Sequence, residues 1–442
     1  MHLYDPEFLF AFLPVFFGLY ALLPAKKRPA VIAAANLIFL FTTSRFGLII
    51  FIAALGSVYF SGISIYNNRN DPEKAESRKN LLSMNIIAAA ALFVFFSVSG
   101  RGSTEFLLLS PASVYCWAVI PLHLISYIVD VYRGDCEAQT SFLSLAAYAG
   151  FFPAASFGPV LKYKSFENSF KAPRLSLKKL AAGIRLYIFG LAEYLIIARR
   201  LEAIRSEIIS APDSLRGGTG WLYVFLFYAI FVVSVSGLLH MGRGVSFMLG
   251  FYVRPASRRS FLTEDFTKRL RQMNETLAAW LRDYICKPLL SNSGKEKTAL
   301  ICTICVGTMW YSFSVGWLIT GFAIVGLITL QKELYKDHVT FNKTSKGLIT
   351  RLFVLTASAV CAFFELPSAS IKIFGSRSGS ENAFFDHLLS ETALPFTLGI
   401  ILTSALLPAL IRRINYVWLK ALIPIVEVFL LIVSISFMLN IA

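Results

Sequence analysis

The feature that most restricts this chain is the recurrence, from one end to the other, of apolar runs close to the length of a membrane-crossing helix. A helix needs about 20 consecutive apolar residues to cross the hydrocarbon core. Candidate runs are 8–24, 30–43, 46–66, 81–98, 106–129, 142–160, 180–198, 221–251, 299–330, 348–364, 393–411 and 418–439. Several are too short to cross alone, and 299–330 is long enough to bend or re-enter. Roughly ten to twelve membrane segments are therefore expected, not all of them full spans. Composition agrees: 56% of residues are hydrophobic and 15% charged, with mean hydropathy +0.64. A soluble domain keeps roughly a quarter of its residues charged. The expected fold class is an all-α integral membrane protein, one continuous domain over 1–442 with N-terminal spans in 1–135, a core in 136–335 and C-terminal spans in 336–442.

The net charge of +16 sits in short Lys/Arg clusters between apolar runs, as topology-setting and headgroup-facing charge does, so membrane lipid is the expected partner and nucleic acid is not. Lys26, Lys27 and Arg28 follow the first run, and Arg69, Lys74, Arg78 and Lys79 follow the third. Both clusters mark cytoplasmic loops in a multi-pass protein of the cell membrane, with the N-terminus outside. The first run follows Asp5 and Glu7 rather than a basic stretch and is expected to be a retained span. Cys302 and Cys305 form a CxxC inside an apolar run with no second pair and no nearby His, which makes them small helix residues rather than a metal or redox centre.

Two regions depart from plain spanning helices. Residues 142–160 contain Gly150, Pro153, Gly158 and Pro159, so a broken segment is expected, packed in protein or lining a cavity. Residues 258–288 carry both charge signs, with Phe266, Leu270, Met273, Leu277, Trp280 and Leu281 at helical spacing and Lys268, Arg269, Arg271, Glu275 and Arg282 on other faces. That pattern predicts an amphipathic helix at a boundary or cavity mouth; a solvated loop with snorkelling charges is the plainer alternative. Two histidines lie inside apolar runs, His123 beside Pro121 and His240 near Arg243. Such groups either hydrogen-bond neighbouring helices or take part directly in chemistry or transport. No serine-hydrolase elbow, phosphate loop or metal-ligand cluster is present, and Gly242–Arg243–Gly244 is too short for a phosphate loop.

Five blocks carry a resemblance. They are LFAFLPVFFGLYALLP at 9–24, SYIVDVYR at 126–133, FFPAASFGPVLKY at 151–163, WLRDY at 280–284 with Pro288 after it, and Phe363-Phe364 with Pro367-Ser368, where Glu365 replaces a usual Arg. Together and in this order they resemble the membrane-bound O-acyltransferase superfamily, nearest the bacterial branch of alginate O-acetylation and D-alanyl-teichoic acid transfer proteins. The resemblance implies a ring of helices around a central tunnel, with re-entrant and interfacial helices. An acyl thioester, such as acetyl-CoA or an acyl carrier protein thioester, enters from the cytoplasm. An acceptor hydroxyl on an extracytoplasmic polysaccharide, a lipid-linked glycan or a partner protein approaches from the other side. A carrier protein or an extracytoplasmic acyltransferase is the implied partner, and no bound cofactor is implied. Trp280, Arg282, Asp283 and Tyr284 of the WLRDY helix, with Trp310 and Ser312, would line the tunnel.

The same resemblance places a general-base His within a Gly-x-Trp-His-Gly block. Here the block reads Gly307-Thr308-Met309-Trp310-Tyr311-Ser312, with Tyr311 at the His position. Tyrosine titrates near pH 10, and apolar neighbours push that value further up, so a phenol makes a poor base at neutral pH. The second family position, six residues before Trp280, is Asn274, and the family's DFSGYSD becomes Ser234–His240, with both acids lost. His240, and less directly His123, are the candidate substitute bases. Three functions follow: an O-acyltransferase, a catalytically silent relative acting as scaffold or acyl conduit, and a transporter or flippase.

Overall fold

In the computed structural model, the described residues are 1–99, 112–155, 157–171, 175–210, 218–251, 253, 265–336, 349–350, 352–354, 356–361 and 417–441. Every regular element among them is helical. The late Phe363–Ser368 block and the expected run at 393–411 lie outside them. The helices are α1 Leu13–Leu22, α2 Arg28–Thr43, α3 Arg45–Asn67, α4 Ala75–Ser99, α5 Ala112–Arg133, α6 Phe142–Ala149, α7 Tyr163–Lys171, α8 Leu177–Ala192, α9 Arg199–Ser210, α10 Gly218–Met248, α11 Phe266–Met273, α12 Glu275–Leu281, α13 Lys287–Ser293, α14 Glu296–Tyr311, α15 Val315–Lys336 and α16 Val417–Ile441. Five stretches are long and apolar enough to cross a membrane: Arg45–Asn67, Pro72–Val98, Leu177–Ile208, Leu222–Met248 and Val315–Tyr335. Shorter apolar helices include Phe8–Leu22 and Phe142–Ala154. This is a multi-pass integral membrane protein.

Two compact units divide the chain: Met1–Ile188 with Leu238–Arg254, and Phe189–Gly237 with Pro255–Ala442. In the first, Pro14 follows a π-helical stretch, Phe8–Phe12, that runs into α1, and Pro29 stands in the first turn of α2, next to a 3-10 turn at Ala25–Lys27. The Ser44 hydroxyl caps α3 by accepting from Gly47 N at 3.0 Å. Lipid gives apolar side chains little reason to prefer one another, so close approach and interhelical hydrogen bonds hold such bundles. Asn85 of α4 donates to Ser61 Oγ at 2.9 Å and accepts from Ser57 Oγ at 3.0 Å, fastening α4 to α3. Gly244 on α10 lies against Gly183 and Tyr187 of α8, where an added Cβ would sit 2.7 Å from Gly183 O.

The expected break in 142–160 is present. α6 ends at Gly150, a single 3-10 turn covers Phe152–Ala154, and α7 begins at Tyr163, with Phe157 at φ 70° and a cis Gly158–Pro159 bond before it. Asn36 of α2 holds the break. Its Nδ2 donates to Ala146 O at 3.0 Å and Ala147 O at 3.1 Å, and its Oδ1 accepts from Phe152 N at 2.9 Å. Gly242 presses on the same segment: a Cβ there would collide with the carbonyl oxygens of Pro153 and Gly158. The glycines of 242–244 are thus contact points between backbones.

In the second unit, Phe266, Ile324, Ile328, Phe353, Val354 and Ala357 form the apolar core, with Tyr228 and Leu270 packed on it. The single amphipathic helix expected in 258–288 is not formed. It is divided at Asn274 into α11 and α12, followed by a π turn at Arg282–Cys286 and then α13. Arg269, expected on a polar face, is buried, with its guanidinium 3.4 Å from Tyr228 Oη. The long run at 299–330 bends as allowed for, into the packed hairpin of α14 and α15. Gly321 permits this packing, since a Cβ there would lie 2.7 Å from Thr308 Oγ1 and 3.1 Å from Cys305 Cα.

Candidate functional site

Asn274 stands where the helix of 266–281 breaks, serving both as C-cap of α11 and N-cap of α12. Its backbone leaves the helical region (φ −142°, ψ 84°). Its Oδ1 accepts from Leu277 N at 3.2 Å and Thr276 Oγ1 at 3.0 Å, which is ordinary N-cap geometry. With Oδ1 satisfied by its own helix, Nδ2 points elsewhere. It is turned toward the Tyr311 hydroxyl, with which the Asn274 side chain is in polar contact. The approach falls short of a well-formed hydrogen bond, so this amide nitrogen is buried without a full partner. Asn274 itself is 3% exposed. A buried donor without a full partner costs about 1–3 kcal/mol unless something accepts from it.

Tyr311 reaches this point from the last turn of α14. Gly307, four residues earlier on the same helix face, brings α14 against α12, where an added Cβ would lie 2.9 Å from Leu281 Cδ1. The Tyr311 ring packs edge-on to Phe231 of α10 at 5.0 Å and to Trp310 at 5.0 Å, and tilts on Trp317 of α15 at 5.9 Å. The chain then leaves the helix through an extended Ser312, and Ser314 Oγ accepts from Trp317 N at 3.2 Å to start α15. Tyr311 and Ser312 keep part of their surface accessible, whereas Trp310 is buried. Asn274 and Tyr311 are therefore neighbours within one unit. The described residues of that unit include no His.

The WLRDY residues divide by face. Trp280 is buried and its ring lies 5.1 Å from that of Tyr284. Arg282 is exposed and donates Nε–H to Asp283 Oδ1 at 3.0 Å, an oxygen that also takes Lys287 Nζ at 3.0 Å. Arg282 and Asp283 thus form a local ion-pair cluster beside the π turn.

The two substitute-base candidates lie in the first unit. Both nitrogens of His123 are engaged by backbone: Nδ1 lies 3.3 Å from Ala149 O, and Nε2 accepts from Leu161 N at 3.2 Å. The ring also stacks on Tyr148 at 4.9 Å. This imidazole clamps the two ends of the broken segment and leaves neither nitrogen for an acceptor hydroxyl. His240 is half-buried on α10. Three polar positions escaped the sequence reading. Asn36 and Glu193 each offered a signal, a polar residue within an apolar run; the burial of Arg269 offered none.

A helical, multi-pass membrane architecture with an Asn–Tyr pair on two abutting helices defines a class of membrane protein with a polar site among its helices. Residues 135–346 match the family described as MBOAT, membrane-bound O-acyltransferase family. The chain is 27% identical to a protein of Azotobacter vinelandii named "probable alginate O-acetylase AlgI", over 71% of this chain and 65% of that protein. It is 26% identical to the protein of the same name from Pseudomonas syringae pv. tomato, over 87% and 76% respectively. A "peptidoglycan O-acetyltransferase" of Helicobacter pylori is 23% identical over 88% of this chain and 82% of that protein. The likeness over these residues is thus to the membrane-bound O-acyltransferase family, and along more of the chain to proteins named for alginate O-acetylation.

Proposed function

We propose that this protein transfers an acetyl or similar short acyl group from a cytoplasmic thioester, acetyl-CoA or an acyl carrier protein, to a hydroxyl of an extracytoplasmic polysaccharide. Lys26–Arg28 and Arg69–Lys79 would face the cytoplasm and the N-terminus the outside. The names of the relatives point to a glycan acceptor. The observation that carries the reading is the meeting of Asn274 and Tyr311, with a buried Nδ2 still seeking an acceptor. A phenol O–H and an amide N–H side by side would serve as two donors to a carbonyl oxygen, whose charge grows as a hydroxyl attacks its carbon. In this reading Tyr311 acts as a donor, not a base. An extracytoplasmic partner protein would carry the group onward where the final acceptor lies beyond the membrane.

The packing of Tyr311 among Phe231, Trp310 and Trp317 favours a second reading, a silent relative in which the phenol fills space and the chain serves as scaffold or conduit. Purified protein in lipid nanodiscs, given radiolabelled acetyl-CoA and soluble polysaccharide, separates the two. Label in the polysaccharide supports transfer. Label retained only in the thioester supports the silent relative.

A further inference from the structure

Away from that pair, one end of the first unit gathers positive charge. α1 ends at Leu22 and α2 begins at Arg28, with the 3-10 turn Ala25–Lys27 between them. α8 begins with Leu177, Lys178 and Lys179. Two contacts bring these helix ends together on the turn that follows α10. Tyr20 of α1 donates its hydroxyl to Leu249 O at 3.0 Å, and Lys179 Nζ donates to Gly250 O at 3.1 Å. At the opposite end Tyr187 of α8 donates its hydroxyl to Leu3 O at 2.6 Å, and its ring lies 6.5 Å from that of Phe8, in the stretch that runs into α1. α1 and α8 therefore run antiparallel, with the end of one beside the start of the other.

Lys26, Lys27, Arg28, Lys178 and Lys179 stand around this meeting of helix ends. Arg28 lies over the Tyr20 ring, its guanidinium carbon 5.1 Å from the ring centre, and its buried Nε makes no hydrogen bond. Lys26, Lys27 and Lys178 are exposed. None of the five is in an ion pair with a described residue. α1, α2, α8 and the part of α10 in this unit, 238–248, contain no Asp or Glu. Like charges gathered without acids repel one another and draw an anion. A guanidinium stacked on a ring keeps its in-plane N–H donors for a phosphate.

Apolar surface adjoins the cations. Among the described residues the two most exposed large apolar side chains are Leu22, at 85%, and Leu177, at 84%. Val15 and Leu19 are exposed on the same face of α1 as Leu22, and Ile184 on the same face of α8 as Leu177. Leu177 also opens a stretch long and apolar enough to cross a membrane, Leu177–Ile208, which puts Lys178 and Lys179 in its first turn, at headgroup depth. A free phosphate would use the cations and leave the apolar faces idle, whereas a phospholipid uses both. We propose that this end of the first unit binds one anionic phospholipid, its phosphate on Arg28, Lys179 and the neighbouring lysines, its acyl chains along the exposed faces of α1 and α8. The site differs from the general pull of a basic loop on an anionic membrane. Its cations come from two remote parts of the sequence and are fixed on Tyr20 and the Leu249–Gly250 turn. It stands independently of the acyl-transfer reading.

The test is native mass spectrometry of the full-length protein released from phosphatidylcholine nanodiscs that contain a small fraction of phosphatidylglycerol with the same acyl chains. One phosphatidylglycerol should stay bound at collision energies that strip phosphatidylcholine. Lys27→Gln and Lys178→Gln, changes at exposed positions that leave the packing alone, should each weaken its retention about fivefold, the effect of one cation near an anionic membrane surface. Arg28→Gln should weaken it further, and Arg28→Lys, which keeps the charge and loses the planar donors, should fall between Arg28→Gln and the wild type. Leu177→Asn keeps every cation and should still weaken retention. Lys79→Gln, in the other basic cluster, should leave it unchanged. Inorganic phosphate or glycerol 3-phosphate at the lipid's concentration should not displace the bound lipid. Equal retention of the two lipids, or equal losses in Lys79→Gln and Lys27→Gln, would reduce the cluster to diffuse topology-setting charge and overturn the proposal. Displacement by inorganic phosphate would give the cations to a soluble phosphate and overturn it as well.

Discussion

Leu281 Cδ1 lies 2.9 Å from where a Cβ would stand on Gly307, so α12 and α14 touch where Asn274 and Tyr311 are brought together. Gly307→Val should push the helices apart and cost about 1–3 kcal/mol by overpacking. Thermal unfolding in detergent should record the loss. Acyl transfer should fall further than Gly307→Ala makes it fall, because the flexible end of Leu281 can move for a methyl more readily than for an isopropyl group.

His123 should matter for stability rather than chemistry. Replacing it with Ala strands the buried Leu161 N–H and Ala149 C=O, each costing about 1–3 kcal/mol. Unfolding of His123→Ala should therefore come at clearly lower temperature, while the fraction that stays folded keeps its KM for the thioester. Persistence of wild-type stability would contradict the clamp.

Most of the architecture could be read from the sequence because apolar runs and their flanking charges report directly on spanning helices. The break at 142–160 was equally legible, since two prolines and two glycines in one run cannot continue a helix. The division at Asn274 was hidden because Phe266, Leu270, Met273 and Leu277 keep helical spacing across it. The only local cue was an Asn three residues before Leu277, the N-cap signature. Likewise α14 and α15 part at Ser312–Ser314 with no Gly or Pro to mark the turn. The site positions Asn274 and Tyr311 could be aligned by resemblance. Their contact could not, since it depends on Gly307 and Leu281, whose meeting is a tertiary fact. Glu193 was visible as an acid in an apolar run, but its hydrogen-bond partner Ser236 belongs to a remote helix.

Cys136, in the loop after α5, should be an unreactive thiol. Burial first, then the negative charge of Asp130, Glu167 and Asp135, pushes its pKa up to about 12. The thiolate is the reactive form, so maleimide modification near neutral pH should run on the order of 100-fold or more slower than for free cysteine. The rate should climb as pH rises toward that value. Rapid labelling at neutral pH, read by mass spectrometry, would show the thiol to be open to solvent.

Asn36 makes three hydrogen bonds to the broken segment, at Ala146, Ala147 and Phe152. Asn36→Leu should destabilise by several times the roughly 1 kcal/mol of one hydrogen bond, because three buried backbone groups lose their partner at once. Asn36→Asp should recover only the bond to Phe152 N–H. Equal unfolding temperatures for the two variants would exclude this pattern.

The central claim is that the Tyr311 hydroxyl, beside Asn274, donates to an acyl carbonyl during transfer. Single-turnover transfer of labelled acetyl from acetyl-CoA, compared between wild type and Tyr311→Phe, tests it directly, since the ring packing survives and only the O–H is lost. Removing one such donor typically slows the chemical step about 100- to 1,000-fold, and a fall of that size with unchanged folding is the expected result. Transfer by Tyr311→Phe at the wild-type rate would contradict it.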